Sequence, residues 1–96
     1  MAATLIYWHK ARIHKRFVVE LKIHDVGRSA GYPDGLKYGL ICYDLKTNKK
    51  VLMDNHHPKG PHIHIEAKEV SYEFVGPDRL IEDFKRLVFE HMGVKL

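Results

Sequence analysis

Apolar and polar positions alternate with a period of two through the early part of the chain. Ile13, Phe17, Val19, Leu21 and Ile23 fall on one side, and Arg12, His14, Arg16, Glu20, Lys22 and His24 on the other; Lys15 and Val18 break the order. This predicts one long, half-buried antiparallel strand from Ala11 to His24 with a wet, mostly basic face. A helix is disfavoured by the β-branched and aromatic content. Leu5 to Trp8 reads as a short edge strand before it. Gly27 to Gly35 is a loop by composition, long for a hairpin connection and expected to be mobile, lying across the site. Leu36 to Leu45 is apolar on both faces and belongs in the middle of a sheet. A turn at Lys46-Thr47-Asn48-Lys49 then returns Lys50 to Met53 antiparallel.

From Asp54 the pattern changes. Pro58-Lys59-Gly60-Pro61 cannot continue a ladder, because proline has no N–H and glycine tolerates turn dihedrals. His62-Ile63-His64-Ile65-Glu66 alternates again, so both histidines and Glu66 share a strand face. The phase slips after Glu66, with Val70, Tyr72 and Phe74 on even positions, which predicts a turn or bulge at Ala67-Lys68-Glu69. Gly76-Pro77-Asp78 opens a helix whose stripe is Leu80, Ile81, Phe84, Leu87, Val88 and Met92, and Gly93 stops it. The expected fold is α+β: an antiparallel sheet of about five strands with one C-terminal helix packed on one face.

Composition adds bounds. The 96 residues suit a single domain spanning the chain, and the net charge of +4 with a pI near 9.2 fits RNA, DNA or an acidic protein as partner. Cys42 is the one cysteine, so no intrachain disulfide forms and a reducing, cytoplasmic compartment is expected. No apolar run is long enough to span a membrane, and the start, Met1 to Trp8, has no charged leader region or cleavage site.

Four of the eight histidines (His56, His57, His62, His64) stand between Asp54 and Glu66. Imidazole titrates near neutrality, so the grouping points to proton transfer, phosphate contact or metal ligation. One reading is metal-independent RNA cleavage. His62 and His64 supply acid and base, with His56 as the alternative for either, and Lys59 holds the phosphate. Asp54 or Glu66 orients an imidazole, while Arg12, His14, Arg16, Lys22, Lys37 and Asn55 hold the substrate. No cofactor is expected on that reading. A second reading is a zinc or other divalent-metal site built from His56, His57, His62 and His64 with Asp54 or Glu66. A third is non-enzymatic docking on nucleic acid or protein, and the bland one is a set of surface histidines.

Asp54-Asn55-His56 followed by Lys59-Gly60-Pro61-His62-Ile63-His64 resembles the D-N-H, K-G, H-x-H pattern of the TumE family, toxins of toxin–antitoxin pairs. Lys37-Tyr38, Tyr72-Glu73-Phe74 and Asp83-Phe84 support the resemblance, which covers nearly the whole chain; His57-Pro58 and Pro61 depart from it. The resemblance implies a toxin with an antitoxin encoded beside it. It favours the ribonuclease reading, because small basic ribonucleases are a common toxin type. A homodimer stays open.

Overall fold

The computed structural model describes residues 3–96; Met1 and Ala2, part of the opening scanned for a leader, lie outside them. Six antiparallel strands follow one another across a single sheet in chain order: β1 (Thr4–Ile13), β2 (Phe17–Asp25), β3 (Leu36–Asp44), β4 (Lys50–Asp54), β5 (His62–Ile65) and β6 (Lys68–Ser71). One helix, α1 (Pro77–Met92), closes the chain and lies across β3 and β4. The α+β class and the C-terminal helix are as the pattern predicts, but the sheet has six strands where about five were expected.

The added strand is β6, and the first two strands divide at a different place than expected. The single long strand expected from Ala11 to His24 is in fact a hairpin, with Ile13 paired to Phe17. His14 and Lys15 carry φ of 54° and 53°, and Arg16 N–H donates to the Ile13 carbonyl at 3.0 Å. Both central residues are left-handed, as in a two-residue turn that matches strand twist. The alternation runs through it undisturbed because Ile13 and Phe17 are four residues apart, an even step that preserves parity. Lys15, an exception to the alternation, marks the tip. The phase slip after Glu66 is likewise a complete hairpin, with Glu66 at φ 56° and β6 beyond it.

Parity then decides what is buried. Val19, Cys42 and Val51 oppose one another across three strands, as do Leu21, Leu40 and Met53, and all are buried. Leu80, Phe84 and Val88 of α1 close that side, joined by Val94 beyond the helix. Burial pushes the Cys42 thiol up to about 11, so it stays protonated as a small core residue. Tyr72 and Phe74 leave the sheet and pin the helix. The Tyr72 hydroxyl donates to Asp83 Oδ2 at 2.6 Å, and the Phe74 ring stacks on Tyr38 at 5.4 Å. Gly93, at φ 70°, ends the helix with its N–H on the Phe89 carbonyl.

The opposite face carries no helix. Two cross-strand rows run over it: Trp8, Lys22, Gly39, Asp54, His62, Ser71, and beside them Lys10, Glu20, Ile41, Leu52, His64, Glu69.

The strained turn gives a direct test. His14→Asn with Lys15→Gly puts preferred residues at both left-handed positions and should raise unfolding free energy by about 1 kcal/mol. Urea unfolding with an unchanged slope is the measurement; if β2 were continuous with β1, the pair would destabilise instead.

Candidate functional site

Asp54 ends β4 and His62 begins β5, and the two are direct partners in the ladder. The connection between them, residues 55–61, is closed by Gly60 N–H on the His56 carbonyl at 3.2 Å. Gly60 sits at φ 77°, which glycine adopts without strain. Its carbonyl lies 2.7 Å from Nδ1 of His62. A carbonyl only accepts, so Nδ1 carries the proton and donates. That leaves Nε2 facing Asp54 Oδ1 at 2.9 Å. Asp54 Oδ1 is buried and has no in-line hydrogen bond among the described residues, so the 2.9 Å approach of Nε2 is a close polar contact outside hydrogen-bond geometry.

His64, two residues on, projects to the same side. Its ring meets His62 edge-on at 4.5 Å between centroids. One ligand atom from each of Asp54, His62 and His64 lies within 4.8 Å of the others. His62 is 6% exposed, whereas the His64 side chain keeps 26%. Glu69, paired with His64 across β5 and β6, brings Oε2 to 3.8 Å from His64 Nδ1. Lys59 Nζ holds both Glu69 oxygens at 3.1 and 3.2 Å and, with the nearby imidazoles, keeps that carboxyl below its usual range.

Beside this cluster runs a groove of about 410 Å³, lined among others by Glu20, Lys22, His24, Lys37, Gly39 and Ile41. Gly39 is its floor: a Cβ there would meet nothing within 4 Å. Gly39 is also the ladder partner of both Asp54 and Lys22, so groove and cluster are adjacent strands of one surface.

The other residues singled out by sequence go elsewhere. His56 and His57 are exposed on the loop and stand apart from the cluster of Asp54, His62 and His64. His57 instead meets the 27–35 loop: its N–H donates to the Tyr32 hydroxyl at 3.3 Å. That loop is itself tied, with Val26 N–H on the Gly35 carbonyl at 2.9 Å and Gly35 N–H on Tyr32 at 2.9 Å. Glu66 pairs with Lys49 at 3.3 Å, away from the histidines. Arg12 is exposed near the far end of β1, and His14 is at the turn tip. Lys22 and Lys37 do face the groove.

Arg16 and Asn55 have structural partners. The Arg16 guanidinium grips Asp44 through two bonds of 2.9 and 2.8 Å. Asn55 is buried, accepts from Tyr38 N–H at 2.9 Å and donates to the Leu36 carbonyl at 2.8 Å, prolonging the β3–β4 ladder with its side chain. Glu69, the Gly60 carbonyl and Gly39 were not foreseen. Treating Glu66-Ala67 as a two-residue hairpin turn would have placed Glu69 opposite His64.

Fold and site together define a small α+β protein with a largely apolar open-face groove, flanked by Lys22 and Lys37, beside a carboxylate–imidazole cluster. Residues 7–92 match the family described as Toxin TumE, and the chain belongs to that family. It is thereby the toxin of a toxin–antitoxin pair, with an antitoxin as its partner. No curated protein and no solved structure matches it. No helix among the described residues is long and apolar enough to cross a membrane.

Two outcomes follow for the structural pair. Asn55→Ala orphans a buried N–H and a carbonyl, and should cost about 2 kcal/mol in urea unfolding. Arg16, with further bonds from Lys46 and Thr47, holds the Asp44 carboxyl well below the usual range. A depressed carboxyl stabilises the fold above its unfolded pKa of about 4, and that contribution fades as pH falls below it. Arg16→Ala should therefore lower Tm most near neutrality, with the gap to the parent protein narrowing below about pH 4 in a calorimetric pH series.

Proposed function

We propose that this toxin cuts the phosphodiester backbone of RNA, with Asp54, His62 and His64 as the reactive centre and Lys22, Lys37 and His24 holding the strand. One observation supports the reading: a groove carrying Lys22 and Lys37 and the carboxylate–imidazole cluster share an open sheet face, one strand apart. A polyanion drawn into the groove by its lysines passes over Gly39 and reaches Asp54 within a single strand spacing, about 5 Å.

Cleavage requires an acceptor for a hydroxyl or water proton and cationic groups facing the phosphoryl oxygens. His64 has an accessible ring edge and is the proton acceptor of a reaction run on side chains alone. His62 differs from the role expected of it. With Nδ1 committed to Gly60 and Nε2 against Asp54, it orients the centre rather than passing protons. Lys59, tied to Glu69 across the β5–β6 hairpin, supports His64 from behind instead of reaching for phosphate. Lys22 has only a long contact of 3.8 Å to Glu20, so its ammonium is available to a phosphate. Mere docking on nucleic acid would need the groove and not a buried Asp–His contact beside it.

Purified protein incubated with cellular RNA tests this. His64→Ala should reduce cleavage about 100-fold or more with RNA affinity retained. Lys22→Ala with Lys37→Ala should weaken binding and lower its salt slope by roughly one to two. Gly39→Leu should fill the groove and stop cleavage at unchanged Tm. Cleavage indifferent to His64 and Gly39 would refute the assignment, and RNA binding without turnover would leave a docking protein.

A further inference from the structure

We propose that Asp54 Oδ1, His62 Nε2 and one ring nitrogen of His64 together bind a single divalent transition-metal ion, with zinc the best match to the donor set. The proposal rests on the ribonuclease reading only for what the ion would act upon; the site itself is argued from its own geometry. An ion-bound His64 is a ligand and not the proton acceptor, so the two assignments of that ring are alternatives that the EDTA arm below separates.

The argument starts at His62. The Gly60 carbonyl accepts from His62 Nδ1–H at 2.7 Å, which leaves Nε2 facing Asp54 Oδ1 at 2.9 Å. With nothing between them, an imidazole lone pair and a carboxylate oxygen at that separation repel, and the oxygen is buried with no in-line donor among the described residues. A cation between them resolves the conflict: a proton or a metal ion. A proton would need only these two atoms. The structure brings a third, since His64 presents a nitrogen to the same locus, all three atoms falling within 4.8 Å of one another.

Distances fit an ion after a small adjustment. Ligand atoms at about 2.0–2.2 Å from one tetrahedral ion stand about 3.4 Å apart. The Asp54–His62 pair at 2.9 Å is already close to this, and the partly exposed His64 ring has room to close the remainder. Supporting contacts match what metal-bound imidazoles use. His62 donates its other N–H to a backbone carbonyl, and His64 has the Glu69 carboxylate near Nδ1, itself held by Lys59. Two imidazoles and one carboxylate leave a coordination position open, the pattern of a reactive rather than a structural site. An RNA phosphate or a water would complete the sphere. His56 and His57, which the sequence offered as ligands, take no part.

The test uses the intact protein, stripped with a chelator and titrated with zinc, and with cobalt for its absorption bands, in the absence of RNA. Expected is saturable binding of one ion per chain with a rise in Tm. Asp54→Asn and His64→Ala should each weaken binding about 100-fold or more, while His56→Ala and His57→Ala leave it unchanged. Because Asp54→Asn or His64→Ala could disturb folding, side-chain 15N NMR of the parent protein gives an independent readout. His62 and His64 resonances should move on titration and those of His9, His14, His24 and His91 should not. No saturable binding, or shifts confined to other histidines, overturns the proposal. RNA cleavage that persists in EDTA removes the ion from the reaction and leaves the nuclease reading standing; ion binding without cleavage does the reverse.

Discussion

The pairing of β4 with β5 is the constraint on which the open face depends. Val51 opposes Ile65 and Met53 opposes Ile63 toward the helix, which leaves Leu52 with His64 and Asp54 with His62 on the face away from it. Val51 and Met53 are fully buried, and each contributes about 1.5–3 kcal/mol of burial. Slipping the register by one residue would put both methyl-bearing side chains in water and both histidines into the core. Apolar burial on one face thus forces a carboxylate and an imidazole together on the other, at a separation that polar attraction alone would not have had to supply. The tight connection through residues 55–61 reinforces the same register, because its glycine carbonyl docks on the first residue of β5.

Several cations are spent on bracing the fold. Cations that brace the fold are paired: Arg16 with Asp44, Lys49 with Glu66, Lys59 with Glu69, and Arg79 and Arg86 with Asp83. Lys37 and Lys22, over the groove, have no bond of comparable length among the described residues. These two ammonium groups stand on the same sheet face as Asp54, His62 and His64. The glycine at position 39 adds to this, since any larger residue there would fill the channel between the lysines and Asp54.

Much of this was legible in the residues, for reasons of periodicity. Alternation reports which face a side chain takes, so the core rows and the shared face of His62 and His64 could be read directly. It is blind to a turn that preserves parity, and for that reason the first hairpin was hidden inside one apparent strand. It is equally blind to side chains that spend their polarity on backbone. Asn55 and Arg16 look like substrate-binding residues by type, yet one completes a ladder and the other a half-buried ion pair. Glu69 was out of reach because its place depends on the register of the last hairpin, not on its neighbours in the chain.

The D-N-H and H-x-H segments divide their labour accordingly. Asn55 secures the start of β3, His56 stands in solvent, and Asp54, His62 and His64 converge. A purely structural account covers Asn55 completely, because every polar atom it buries finds a backbone partner. It does not cover Asp54, whose buried Oδ1 meets an imidazole nitrogen without an in-line bond. Burying a carboxylate oxygen unsatisfied costs stability, and an apolar pair in the same ladder position would pack without that cost. The contact is therefore not accounted for by the fold alone, and it is the observation on which the proposed cation site stands.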